Sequence, residues 1–463
     1  MTETPNPALG QRIRAAELSA AMAEFIVAAR FEDLPTQAVE AAKIFFMDTL
    51  ACGVAGRGYE ASDLVLAAAS KWGQGDVARI IGRPGVKLPP PAAAMVNGYQ
   101  MHALEWDGLH EYSVVIALGA PTAALLAEAE QRPLSGQALL TALCVAIDVA
   151  VFFGAASSSA PKFFRPAIAG QMGAVAALAV ARGYDEATTL NALGLAYSHL
   201  SGTMQAHWEG SMALALQVGQ AARAAHQAAD LAEAGFSGPV DIIGGQFGYF
   251  TLFEEPGDVA GELGRLGNPW KMPEMAHKPF PAGRATQAVL TMLYELQAQT
   301  PFDWREVERL DVYAPSLILL LVGRPLTETM TPAYARLCLD FVAPLMLIDG
   351  KVDPLRFVLE VFADPDIASL SQKVCLIDDG NPDPNALGPQ RCELTLTGGR
   401  TLSASCVHPL GAPGYPLDAD GRRRKVQACG AAGKSQSQID AFMEAAMAID
   451  AADDISRVLD FIC

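Results

Sequence analysis

The sequence predicts a mainly α-helical protein: a large all-helical domain over residues 1–270, completed by 415–463, joined to a smaller α+β domain over 271–414. Three observations predict it. At 463 residues the chain exceeds the size at which a single core keeps growing. Its first 270 residues carry long Ala-rich apolar stretches, whereas strand-like residues around a glycine turn gather only after residue 270. Hydrophobic residues make up 51% of the chain, enough to bury large cores and incompatible with a disordered polymer.

Taken in order, Ala38–Ala55, Gly136–Gly154, Gly170–Gly183 and Met212–Gly235 are too long and too uniformly apolar for surface helices, so they are expected as central helices of a bundle. Gly183 and Gly235 are natural stops. A further helix should begin after Pro89-Pro90-Pro91, with the last proline near its first position. Leu139–Ala156 is the stretch closest to a membrane span, but it contains Asp148 and falls short of the roughly 20 residues needed. It reads as a buried helix. Gly267-Asn268-Pro269 and Pro273 then break the chain. A helix over Ala285–Thr300, strands at Val307–Tyr313 and Lys373–Ile377, and a hairpin of Cys392–Thr397 with Thr401–Val407 about Gly398-Gly399 make the α+β part. After the loop Gly411–Gly421, helices over Ile439–Ile449 and Asp453–Phe461 are expected to return to the first domain.

A net charge of −18, from 33 basic and 51 acidic residues, excludes the basic footprint of a nucleic-acid binder. It would also repel anions at long range, so an acidic substrate requires cations concentrated at one place. Eight scattered cysteines without CxxC spacing read as reduced thiols, and no ligand cluster suggests a metal or other cofactor. The opening MTETPNPALGQRIRAAE lacks the basic-then-apolar order of a secretory signal, and a cytoplasmic location is expected.

Several stretches carry a resemblance: Phe46-Met47-Asp48-Thr49-Leu50-Ala51-Cys52-Gly53; Asn97-Gly98 followed by His102-Ala103-Leu104-Glu105-Trp106-Asp107; Gly235-Phe236-Ser237-Gly238-Pro239 with Gly244-Gly245-Gln246-Phe247-Gly248; and Lys278-Pro279-Phe280-Pro281. In order and spacing they resemble the MmgE/PrpD family, which includes 2-methylcitrate dehydratase, cis-aconitate decarboxylase and iminodisuccinate epimerase. The resemblance implies the same helical and α+β split, and commonly a dimer. It also shows departures. Gly108 and Leu109 replace a carboxylate and a hydroxyl, Ala120-Pro121 a His-Pro, Arg165 the histidine of an FHP-type motif, and Leu214 a lysine; the histidine after KPYP is missing. The fold transfers, whereas the reaction of a named member does not.

His102, Glu105, Asp107, His110 and Glu111 place five ionisable residues within ten in an otherwise apolar chain. If helical, His102 and Glu105 share one face at i,i+3. Glu105, Asp107, His110 and His207 are candidate acids and bases, with Lys278 as a catalytic cation held by flanking prolines. His102, Arg165, Glu209 and Arg284 are candidate substrate contacts, Arg165 as a bidentate carboxylate clamp. His199, His226 and His408 read as structural, and Gly244–Gly248 as a turn rather than a phosphate loop. The expected function is a cofactor-independent lyase or isomerase acting on a small carboxylic acid; the alternative is a metabolite binder on the same scaffold. A homodimer is expected through Val65–Ala69, Ala123–Ala129 or Met212–Ala234.

Overall fold

Small side chains set the geometry of the helical part, because they let helix axes approach closely. The computed structural model describes residues 7–73, 75–430 and 435–463; the first six residues of the opening stretch read above lie outside it. The helix Ala213–Glu233 lies against Pro90–His102 so tightly that a Cβ on Gly219 would sit 2.3 Å from the Met95 carbonyl oxygen. Gly119–Ala129 and Arg165–Arg182 pack beside this pair, and Gly136–Ala155 packs on Arg165–Arg182. Thr36–Gly56 completes the surround of Pro90–His102. Gly136–Ala155 is long and apolar enough to cross a membrane by composition, but it is almost entirely buried within the protein.

Local chemistry explains the ends. Ser135 accepts a hydrogen bond from the Ala138 N–H at the start of Gly136–Ala155, and Asp185 does the same for the Thr188 N–H at Glu186–Ser198. Gly183 ends Arg165–Arg182 in the left-handed region. One expected start moves: the helix expected from Gly170 begins at Arg165, with Pro166 in its first turn.

Apolar packing forms one cluster from Met22 to Met275 that also takes in Leu337 and Val426–Ile462. A second cluster spans Phe280–Cys406. The latter holds the helix Gln287–Gln299 and a four-stranded mixed sheet. Its order is Val374–Asp378, Val307–Ala314, Gln390–Leu396, Thr401–Cys406. The first pair is parallel and the others antiparallel, and the last two strands form the expected hairpin. At the carboxyl end, Gln436–Met447 is α-helical, whereas the helix expected at Asp453–Phe461 is a 3-10 segment over Ile455–Phe461. Gly136 receives the chain between these two segments, at Ile449–Ala452: its N–H donates to the Ala452 carbonyl at 2.8 Å, and a Cβ there would lie 1.5 Å from the Ile449 oxygen.

Two features depart from the expected subunit interface. Ala123–Ala129 is buried throughout by neighbouring helices of the same chain, so it offers nothing to a second subunit. In the Met212–Ala234 run, Leu214, Val218 and Ala222 face inward, and of its large hydrophobic side chains only Met212 and Leu231 are substantially exposed.

Candidate active site

The helix Pro90–His102 ends inside the protein, and the turn that follows reverses the chain within the core. Glu105 occupies the left-handed region at φ 51°, which a residue with a side chain adopts only under constraint. That reversal carries Asp107 back beside His102, the last residue of the helix. Leu109–His110 then pairs antiparallel with Met275–Ala276, in the register Leu109↔Ala276 and His110↔Met275. This short ladder delivers Lys278 to the same place. The Trp106 indole N–H donates to the Pro279 carbonyl at 3.1 Å and ties the two segments together.

The result is a buried cycle of charge. His102 Nδ1 lies 3.0 and 3.1 Å from the two Asp107 carboxylate oxygens, and its Nε2 lies 3.0 Å from Glu105 Oε1. Lys278 Nζ donates to Glu105 Oε2 at 3.1 Å and stands 3.7 Å from Asp107 Oδ1. Burial opposes the His102 imidazolium, but the Asp107 and Glu105 carboxylates outweigh it and push its pKa up to about 10. Burial likewise opposes the Glu105 carboxylate, and Lys278 and His102 outweigh it, holding its pKa far below the usual range. Behind the cycle, Lys425 Nζ lies 2.7 Å from Asp48 Oδ1 and donates to the Trp106 carbonyl at 2.7 Å. Three carboxylates (Asp48, Glu105, Asp107) thus face three cations (His102, Lys278, Lys425).

Further cations lie nearby, Arg336 on one adjoining cavity and Arg284 on another. Arg336 is fully buried, stacks on Phe357 and Tyr59, and keeps its Nε–H unpaired; burial brings its pKa down to about 10. Arg324 donates to the His207 carbonyl at 3.0 Å and stands 3.4 Å from His207 Nδ1. Burial, then the Arg324 charge, lowers the His207 pKa to about 4, so its imidazole is neutral near pH 7. Arg284 contacts Glu111, and its Nε–H and Nη1 groups are buried without partners. Neither Arg324 nor Arg336 forms an ion pair with a carboxylate among the described residues.

Glu105 forms part of the wall of two cavities. The smaller, about 280 Å³, is lined by His102, Tyr59, Tyr99 and Arg336. The larger, about 620 Å³, is lined by His207 and Arg284 and otherwise mainly by apolar side chains.

Family models match both halves of the chain: the MmgE/PrpD N-terminal domain over residues 20–261 and the MmgE/PrpD C-terminal domain over 280–451. The chain belongs to the MmgE/PrpD family. It is similar to the cis-aconitate decarboxylase of Mus musculus, 28% identical over 411 residues that cover 84% of this chain and 82% of the mouse protein. The cis-aconitate decarboxylase of Homo sapiens is 26% identical over 381 residues, covering 79% and 77%. That of Aspergillus terreus is 22% identical over 459 residues, covering 93% of each.

Within this MmgE/PrpD chain, the structure brings His102, Glu105, Asp107 and Lys278 together and sets His207 and Arg284 on the adjoining cavity. Three expected site residues are placed otherwise. Arg165 touches the larger cavity, but its donors are occupied: Nε and Nη2 hold the Glu254 carboxylate at 2.7 and 3.1 Å, Nη2 the Ser159 carbonyl at 2.7 Å, and Nη1 the Ser113 carbonyl and Asn385 at 3.2 Å. A guanidinium so occupied has no free edge to clamp a carboxylate. Glu209 is exposed and accepts from Gln205 one turn back, away from both cavities. His110 stands 2.9 Å from Ser113 Oγ and 3.1 Å from the Glu274 carboxylate, outside the cycle. His199 and His226 are structural as expected, satisfied by the Leu195 and Ala124 carbonyls. Sequence reasoning missed Arg324, Arg336 and Lys425. No local pattern marks them, because each gains its meaning from partners more than a hundred residues away.

Proposed function

We propose that this chain is a cofactor-independent lyase or isomerase that uses acid/base chemistry on a small carboxylic acid, with an unsaturated polycarboxylate such as cis-aconitate as the first substrate to test. The observation that carries the reading is the closed acid/base cycle on the wall of cavities that also hold buried, unpaired guanidinium N–H groups. Such groups lose about 1–3 kcal/mol each when desolvated without an acceptor, and a carboxylate is the natural acceptor. The three carboxylates and three cations of the cycle and its backing balance, so Arg324 and Arg336, which have no carboxylate partner among the described residues, supply two positive charges for a dianion.

Removing a proton beside a carboxylate, or losing CO₂ from one, builds negative charge that nearby cations stabilise. Neutral His207 serves as proton acceptor. The His102 imidazolium, held protonated by Asp107, serves as proton donor to the carbanion, and Lys278 offsets the charge that develops beside Glu105. Arg284 and Arg336 hold the carboxylates in place.

The test is proton NMR of cis-aconitate and a panel of small di- and tricarboxylates incubated with the protein in heavy water. Consumption or carbon-bound deuterium exchange that disappears in folded Glu105→Gln supports the reading. Saturable binding of these acids without consumption or exchange would show a binder instead.

A further inference from the structure

The backing of the acid/base cycle is built differently from the cycle itself. Lys425, on the helix Ala419–Gly430, is buried against Thr36–Gly56 and lines neither cavity. Its Nζ lies 2.7 and 2.8 Å from the two Asp48 carboxylate oxygens and 2.7 Å from the Trp106 carbonyl oxygen. An ammonium has three N–H groups, so these three oxygens use all of them. No donor is left for a substrate. A buried ion pair can often be replaced by apolar packing without net loss, so stability alone does not account for this one.

The third contact does. The Trp106 carbonyl belongs to the peptide that joins Trp106 to Asp107, and because that unit is planar, fixing its oxygen fixes the plane from which Asp107 departs. On the other side Trp106 follows Glu105, whose left-handed backbone at φ 51° persists only where its surroundings over-determine it. The His102–Asp107 and Lys278–Glu105 contacts, at 3.0 and 3.1 Å, both depend on that reversal of the chain. Resting on the functional reading above, we propose that Lys425, oriented by Asp48, is a positioning residue of the acid/base centre: through the Trp106 carbonyl it holds the turn that brings Asp107 and Glu105 onto His102.

Asp48→Asn combined with Lys425→Met removes one negative and one positive charge together and deletes the Nζ donor. The readout is the titration of His102, followed by NMR of ring-labelled histidines in the full chain and assigned by its loss in His102→Gln. His102 is faced by Asp107 and Glu105 on the turn, Lys278 beside them, Arg336 across the smaller cavity and His207 of Gln205–Glu209, and all of these are kept. Its midpoint, about 10 in the intact protein, should fall by about 1–3 pH units as the carboxylates draw away. A pair with only a structural role would change unfolding stability and leave the midpoint near 10; that result in the folded double variant overturns the inference. Trp106→Phe gives an independent reading should the double variant not fold. It deletes the indole tie to Pro279 but keeps the carbonyl, so the midpoint should stay near 10. A fall of about 1–3 pH units there would assign the hold to the indole and overturn the role of Lys425. No substrate enters this measurement, so failure to turn over any acid leaves its result intact, and an unmoved midpoint leaves the functional reading standing.

Discussion

Replacing Lys278 by Met isolates the electrostatics of the buried cycle. In the intact protein the ammonium sits 3.1 Å from Glu105 and 3.7 Å from Asp107, with no solvent exposure. Without it, two buried carboxylates face only His102, leaving one uncompensated charge in the core. Removing one partner of a buried pair typically destabilises by about 3–5 kcal/mol, and that is the loss expected at pH 7. Adding Glu105→Gln restores neutrality, since Asp107 and the His102 imidazolium then balance, so the double variant should recover about 2–3 kcal/mol relative to Lys278→Met. The pH dependence has a definite sign. The Glu105 carboxyl is depressed in the folded protein, so its stabilisation is present above the ordinary value of 4.5 and is lost as pH falls below it. The gap between wild type and Lys278→Met should therefore be widest near neutrality and narrow below about pH 4.5. Urea unfolding of the four proteins of the cycle, at pH 7 and pH 4, measures all of this. A Lys278→Met loss under about 1 kcal/mol at pH 7, or a double variant no more stable than the single, would refute the closed-cycle reading.

Other outcomes follow from the same geometry. With His207 neutral down to about pH 4, the acid limb of kcat/KM should fall near pH 4, and Arg324→Met should move it up toward 6.5; a wild-type limb near 6.5 would remove His207 as the base. Arg165→Ala strands the buried Glu254 carboxylate, so it should lower stability by about 3–5 kcal/mol while the folded fraction keeps its KM within about threefold (roughly 0.65 kcal/mol); a larger rise in KM would restore the clamp. Asp148 accepts from the Gly267 and Lys271 N–H groups, and burial pushes its pKa up to about 7. Its raised value means that stability falls as pH rises from 3.8 to about 7, and Asp148→Asn should remove that part of the slope in pH-resolved thermal unfolding. Gly136→Ala meets the Ile449 carbonyl and should cost about 1–3 kcal/mol, with hydrogen exchange rising first in residues 436–462.

Legibility in the sequence followed the distance between partners. The central helices could be read because each is a local pattern of apolar residues between capping residues. His102, Glu105 and Asp107 could be read because a single turn joins them, although their meeting depends on the left-handed backbone at Glu105 rather than on a continued helix face. Lys278 was marked by its proline frame and by family resemblance. Arg165 was read as a clamp on a substrate carboxylate, and the carboxylate it holds is that of Glu254, 89 positions away. The Ala-rich run at 123–129 reads the same whether a second subunit or neighbouring helices cover it, and only packing distinguishes the two.

The ion pair between Lys425 and Asp48 has a bearing on how the protein is made. The ammonium that balances Asp48 leaves the ribosome 377 residues after it. Until then the helix Thr36–Gly56 carries a carboxylate that cannot enter an apolar interior at acceptable energy, so this wall of the site stays hydrated until Lys425 has been made. Closure of the acid/base centre therefore waits for Lys425. Nascent chains stalled before residue 425 clears the exit tunnel should leave the Thr36–Gly56 region open to proteolysis, whereas chains stalled well beyond it should not.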